Sequence, residues 1–174
     1  MSNSAIILDR DGTMSDSNEG VRKIESFRFI DGTFHALRNL LQKNFSLFIY
    51  TNQSGIGIGL YSEEDFKKLN EDMLNRLGKE GIEITSVFYC PHKPDDDCGC
   101  RKPRTEFLEQ LIGKYNIDRG TSYVIGDKTT DIKFGENAGI NTILVKTGMG
   151  GEDKQYNVKP MYIFEDLLVA SLEL

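Results

Sequence analysis

Residues 5–13 read AIILDRDGT. Ala5, Ile6, Ile7 and Leu8 are apolar on both alternating faces, the pattern of a central strand buried on both sides in a parallel sheet. Two carboxylates, Asp9 and Asp11, follow at once. In open α/β sheets ligands bind beyond the carboxyl ends of such strands, so these acids are expected where the chemistry is. One residue apart, they point the same way along an extended chain, and Gly12 lets the backbone turn over whatever they hold. A shared divalent cation is one reading of the pair; an ordinary acidic turn is the other.

Outward from this stretch the chain alternates strand-like and helix-like segments. Phe34, Leu37 and Leu41 share one face of a helix expected over Thr33 to Lys43, and Ser46 to Tyr50 is the next strand. Ser62 opens SEED, a capping-box-like start, after which Phe66, Leu69, Met73 and Leu77 keep helical spacing until Gly81. Ile84 to Tyr89 reads as a third strand. Beyond a polar loop, Phe107, Leu108 and Leu111 mark a helix, Ser122 to Ile125 a strand, Ile132 to Ala138 a helix closed by Gly139, and Thr142 to Val145 a strand. Tyr162 to Phe164 and Glu165 to Leu172 add a last strand and helix. Such alternation implies βαβ units around a parallel sheet.

The 174 residues fit one α/β domain, 1–174, with little room for a second. With 39% hydrophobic and 28% charged residues and no long apolar run, the chain is expected to be soluble. The start, MSNSAIILDR, has no basic region ahead of its apolar stretch, so a cytoplasmic protein without a signal peptide is expected. A net charge of −6 speaks against nucleic acid as a partner. A small molecule, a monomeric protein and no membrane contact are the expectation.

Placed on this map, Asp9 and Asp11 follow the first strand, Thr51, Asn52, Gln53 and Ser54 the second, and Asp127 the fourth, so all converge on one rim. The run TNQSGIGIG at 51–59 offers a hydroxyl, amides and glycine N–H groups, the donors a phosphate oxygen needs. GDKTTD at 126–131 offers two more carboxylates. Asp127 is favoured to complete a magnesium site with Asp9 and Asp11, while Asp131 is left outside it as a first-turn helix residue. Lys128 either reaches the site or is a solvated helix-start lysine. His35 reads as a surface residue.

All 3 cysteines fall in one loop, CPHKPDDDCGC at 90–100, beside one of only 2 histidines. An odd cysteine count argues against a disulfide framework. Cys90, His92, Cys98 and Cys100 supply three thiolates and an imidazole, a closed tetrahedral set suited to structural zinc. Such a knot would hold a loop too polar to fold by burial, and would position Arg101 and Lys102 just after it. The run Asp95 to Asp97 reads as a solvated turn.

These motifs, in this order, resemble the haloacid dehalogenase (HAD) superfamily of aspartate-nucleophile phosphatases: DRDGT, a strand-end Thr, a Lys, and a strand-end GD. The match runs from Ile7 to about Gly148. Within the superfamily, DRDGT, TNQSG, CPHKP followed by CGCRKP, and GDKTTD resemble the histidinol-phosphate and heptose-bisphosphate phosphatases. The resemblance implies a HAD-like Rossmannoid parallel sheet with helices on both faces, no separate cap domain and a zinc-binding loop. It further implies Asp9 as nucleophile, Asp11 as general acid and base, Thr51 as phosphate ligand, Lys102 as phosphate clamp and Asp127 as magnesium ligand. Asp11, among other carboxylates, is expected to have its pKa raised, as an acid requires.

The substrate is expected to be a small phosphorylated metabolite. RKIESFRFIDG and ILVKTGMGG resemble the heptose-bisphosphate branch, whereas the short cysteine loop and GDKTTDIKFGENAGIN resemble histidinol-phosphate phosphatase. Glu19, Gly20 and Val21 stand where the heptose branch carries Gly-Tyr-Val, so Ser17 to Gly20 is read as a substrate loop. The resemblance outside the catalytic motifs, together with Arg101, whose planar fork suits a second anionic group, inclines the reading to D-glycero-D-manno-heptose 1,7-bisphosphate, cleaved at the 7-phosphate. The contrasting reading is a zinc-stabilised interaction module without turnover.

Overall fold

The structure, a computed structural model, describes residues 3–16 and 26–174. The substrate loop read at Ser17 to Gly20 lies outside the described residues. Six strands, β1 (Ala5–Leu8), β2 (Ser46–Asn52), β3 (Ser86–Cys90), β4 (Tyr123–Gly126), β5 (Asn141–Val145) and β6 (Tyr162–Phe164), form one sheet in the order β3-β2-β1-β4-β5-β6. Every pairing is parallel. Between them run α1 (Thr33–Gln42), α2 (Ser54–Gly57), α3 (Glu63–Lys79), α4 (Glu106–Tyr115) and α5 (Thr129–Ala138), and α6 (Leu167–Glu173) closes the chain.

Alternation along each strand divides the core in two. Ile6, Leu8, Leu47, Ile49, Ile125, Ile143 and Val145 pack with Leu37 and Leu40 of α1, Leu69, Met73 and Leu77 of α3, and Leu167 and Ala170 of α6. Ala5, Ile7, Phe48, Tyr50 and Val124 face the other way, onto Leu108 and Leu111 of α4 and Phe134 and Ala138 of α5. Both faces of β1 are thus buried by helices, which is why its sequence is apolar without interruption. Burying each such side chain contributes about 1.5–3 kcal/mol.

The chain runs outward from β1 through β2 to β3, then returns across the sheet to β4, so its direction reverses between the neighbours β1 and β4. A crevice opens beyond the strand ends at such a reversal. Asp9 follows β1 there and Asp127 follows β4, side by side because Leu8 is in register with Ile125.

Several boundaries shift by one to three residues from the sequence reading. The second strand continues through Thr51 and Asn52, because both pair with β3, at Tyr89 and Cys90. Ser54–Gly57, given no element in the sequence reading, forms a single helical turn. The third strand begins at Ser86, two residues later than its apolar run suggested. The expected capping box is present, with Asp65 N donating to Ser62 Oγ at 3.0 Å and Ser62 N to Asp65 Oδ2 at 3.2 Å. His35 is exposed, and no described helix is long and apolar enough to cross a membrane.

Candidate active site

A cavity of 430 Å³ opens above the junction of β1 and β4, with Asp9, Asp11, Thr51, Lys102, Lys128 and Asp131 on its walls. Asn52, Ser54 and Arg101 also line it, whereas Gln53 does not.

Lys102 is the hub. Only 4% exposed, it donates from Nζ to Asp9 Oδ1 at 2.6 Å and to the Tyr50 carbonyl at 2.9 Å, and pairs with Asp131 Oδ1 at 2.6 Å. Burial disfavours its charge, but Asp131 and Asp9 more than compensate and hold its pKa above the usual lysine value. Its backbone is clamped by Asn52: Lys102 N donates to Asn52 Oδ1 at 3.1 Å, and Asn52 Nδ2 donates to Lys102 O at 3.2 Å. One N–H of the Asn52 amide, read as a phosphate ligand, thus places Lys102, while the residue also lines the cavity.

Asp9, Asp127 and Asp131 bring carboxylate oxygens within 4.8 Å of one another, all three buried. Burial pushes Asp9 up to about 6 against the pull of Lys102. Burial and the charges of Asp9 and Asp131 push Asp127 up to about 7. Asp131 uses both oxygens, on Lys102 and on Lys128 N at 3.1 Å. Asp127 Oδ2 accepts from Met149 N at 2.7 Å, but its Oδ1 is buried with no hydrogen-bond partner among the described residues. An orphaned buried carboxylate oxygen beside a second carboxylate is what a bound divalent cation would satisfy. The carboxylate is seated by glycine: a Cβ on Gly12, whose φ is +94°, would stand 2.4 Å from Asp127 Oδ2, and one on Gly148 would stand 2.2 Å from it.

Asp11 departs from expectation. Its side chain lies outside the carboxylate cluster, and the side chain joining Asp9 and Asp127 there is Asp131. Arg10, fully buried, folds back and grips Asp11 with Nε on Oδ1 and Nη2 on Oδ2, each at 2.8 Å. Gln53 Nε2 donates to Asp11 Oδ2 at 2.8 Å and Ser15 Oγ to Oδ1 at 3.2 Å. Burial alone would raise its pKa; Arg10 and these hydrogen bonds reverse the balance and hold it below the usual carboxylate range. The expected rise from neighbouring carboxylates is thus overturned by the arginine between the two acids. Gln53 is likewise not a pocket residue. Its Nε2 also donates to Thr51 Oγ1 at 2.9 Å and its Oε1 accepts from Tyr61 at 2.7 Å, so it orients Asp11 and Thr51 from behind.

Also lining the cavity, Arg101 donates from Nη1 to Ser54 Oγ at 2.8 Å. Lys128, at the start of α5, faces the cavity. Burial lowers its pKa less than Asp9, Asp127 and Asp131 raise it.

Cys90, His92, Cys98 and Cys100 converge in the loop that follows β3, their ligand atoms within 4.8 Å of one another. Cys90 Sγ lies 3.7 Å from Cys98 Sγ and 3.6 Å from His92 Nδ1, which lies 3.2 Å from Cys100 Sγ. A tetrahedron with metal–sulfur bonds of about 2.3 Å has edges of roughly 3.8 Å, so the spacing fits a four-coordinate metal and rules out a disulfide at this separation. Burial pushes Cys90 up to about 12, so metal binding there must displace its proton. Tyr50 Oη donates to Cys100 O at 2.9 Å and Gln53 N to Cys90 O at 2.8 Å, tying the loop to the site. Asp96 accepts from Lys93 N at 2.8 Å and Asp97 from Arg104 at 2.7 Å, so the acidic run is partly a turn and partly a counter-charge.

A HAD-hydrolase-like family model matches residues 99–170, which contain Lys102, Asp127 and Asp131. The chain is 44% identical over 151 residues to D-glycero-β-D-manno-heptose-1,7-bisphosphate 7-phosphatase of Pasteurella multocida, covering 83% of this chain and 82% of the relative. It is 41% identical to the D-glycero-α-D-manno-heptose-1,7-bisphosphate 7-phosphatase of Campylobacter jejuni, covering 83% of each. The chain belongs to the HAD-like heptose-bisphosphate phosphatase family. A solved member, the D,D-heptose 1,7-bisphosphate phosphatase of B. bronchiseptica complexed with magnesium and phosphate, superposes with a TM-score of 0.90 at 30% identity, covering 98% of this chain and 97% of that one.

Arg10, Gln155 and Tyr156 escaped the sequence reading, and Asp131 was left outside the site. Arg10 carried a signal, a cation between two acids bound for a buried site. Asp131 was seen but kept apart from the clamp that it forms with Lys102 and Asp9. Gln155 and Tyr156 line the cavity from a segment without helical or strand periodicity, which gave no signal.

Proposed function

We propose that the protein is a magnesium-dependent phosphomonoesterase that removes the 7-phosphate of D-glycero-D-manno-heptose 1,7-bisphosphate through an aspartyl-phosphate. The observation that carries this reading is the buried Lys102 ammonium 2.6 Å from Asp9, in a cavity whose other walls present Thr51, Lys128 and Arg101. A phosphate monoester is a dianion that repels a carboxylate, so cations must surround phosphorus before Asp9 can approach it.

Asp9 forms a bond to phosphorus while the bond to the leaving alkoxide breaks and Asp11 supplies that oxygen's proton. Water then attacks the aspartyl-phosphate, Asp11 takes its proton, and the bond between Asp9 and phosphorus breaks, restoring both acids. Held as a carboxylate by Arg10, Asp11 is ready for the second step; a substrate dianion close by favours the protonated form that the first requires. Thr51 and the N–H groups that follow it hold the equatorial oxygens. Asp9 and Asp127 are the side chains that would hold magnesium, which supplies charge neutralisation at the phosphoryl oxygens. Cys90, His92, Cys98 and Cys100 hold zinc as a structural ion.

The substrate assignment rests on the family relatives and on Arg101, whose planar fork suits a second phosphate. A panel scored by kcat/KM tests it: the heptose bisphosphate is expected to exceed histidinol phosphate and simple aryl phosphates, and a preference for histidinol phosphate would overturn it.

A further inference from the structure

The segment after β5 takes no part in the chemistry above, yet it forms one wall of the cavity. Its near end is fastened to Asp127, through Met149 N on Oδ2 and Gly151 N on the carbonyl, both at 2.7 Å. Its far end is fastened to the start of α5. Asp153 accepts from Thr129 N at 2.8 Å and Thr129 Oγ1 at 2.6 Å, capping a helix that begins 24 residues earlier. Tyr156 N donates to Thr129 Oγ1 at 3.2 Å, and Thr130 Oγ1 donates to Gln155 Oε1 at 3.2 Å. An irregular segment anchored at so many points is preorganised, as a recognition wall must be.

What the anchoring leaves over is suited to a ligand. Tyr156 is tied through its backbone, so its ring is not spent on the anchor; it borders both the 430 Å³ cavity and a neighbouring one of 180 Å³, as do Pro94, Arg101 and Lys102. With its oxygen held by Thr130, Gln155 can turn an NH2 donor to the cavity. An aromatic face beside an amide donor matches a polyhydroxylated carbon skeleton, whose C–H face is apolar and whose rim accepts hydrogen bonds.

We infer that Gln155 and Tyr156 are specificity-determining residues that read the leaving group, Tyr156 against the carbon skeleton and Gln155 on a hydroxyl. This rests on the proposed phosphatase activity and deepens it by assigning the part of the substrate that is not transferred. Asp11, which serves the leaving oxygen, lines the same cavity, so the group attached to that oxygen extends from Asp11 toward the outer walls.

The test compares kcat/KM for D-glycero-D-manno-heptose 1,7-bisphosphate with that for acetyl phosphate, which carries the phosphoryl group without the polyol. Tyr156→Ala is expected to lower the ratio about tenfold, mainly through KM, with most of it restored in Tyr156→Phe, and Gln155→Ala to lower it about threefold. A ratio within twofold of wild type in both alanine variants overturns the inference. A wild-type enzyme that cleaves acetyl phosphate but not the heptose bisphosphate would instead sink the substrate reading; the same ratio is then taken with the sugar phosphate it cleaves fastest, so the two failures stay separate.

Discussion

The Lys102 ammonium stands 2.6 Å from Oδ1 of Asp9, bridging residues 93 apart in sequence, and the same nitrogen pairs with Asp131 at 2.6 Å. One buried cation thus restrains two buried carboxylates, with the Lys128 ammonium adding to the positive field at Asp9.

Lys102→Ala should therefore lose both activity and stability. Removing one preorganised charge from the phosphoryl site is expected to cut kcat by about a hundredfold or more. Leaving Asp9 and Asp131 without their partner costs about 3–5 kcal/mol. Steady-state kinetics and thermal melting check the two parts; a variant with wild-type kcat would remove Lys102 from the chemistry.

Magnesium stabilisation should grow with pH. Asp9 and Asp127 are raised from 3.8 to about 6 and about 7, so without metal the folded protein holds protons that the unfolded chain has lost. Their contribution is present below about pH 4 and is lost as pH rises through 6 to 7. Magnesium takes the deprotonated form, so the rise in Tm on adding it should be small at pH 5 and larger at pH 8. A rise independent of pH would contradict this placement.

How far these residues could be read without coordinates depends on whether their role is local. β1 and its two acids were legible because a strand buried on both faces carries its own signature, and the strand-end positions of Thr51 and Asp127 followed from it. That the three thiols and the imidazole of the cysteine loop converge was legible because they are close in sequence. The protonation of Asp11 was not, because Arg10 is adjacent in sequence and only the fold turns its guanidinium back onto the carboxylate. Gln53 was misread for the same kind of reason: its donors looked available, but Asp11 and Thr51 take them. Tyr156 sits in an irregular segment whose place is set by Asp153 and Thr129, and pattern reading has no purchase there.

Zinc should stabilise the protein without entering the chemistry. Cys98→Ser removes one of four ligands, so bound zinc measured by elemental analysis should fall and Tm should drop by about 5 °C or more. Activity should fall as well, since Arg101 and Lys102 follow directly on Cys100. Purified protein free of zinc that melts like its Cys98→Ser variant would exclude the knot.

Arg101→Ala should raise KM for the heptose bisphosphate by about tenfold or more, and far less for an aryl phosphate, because only the bisphosphate loses a charge-assisted contact. Equal increases for both would reassign Arg101 to the transferred phosphoryl group.

The most direct test of the proposed chemistry is to map the covalent phosphoryl group. Asp11→Asn should retain attack on 4-nitrophenyl phosphate, whose leaving group needs little protonation, but hydrolyse the intermediate slowly. After acid quench and proteolysis, mass spectrometry is expected to find the phosphoryl group on Asp9. A phosphoryl group on any other side chain, with Asp9 unmodified, would contradict the account.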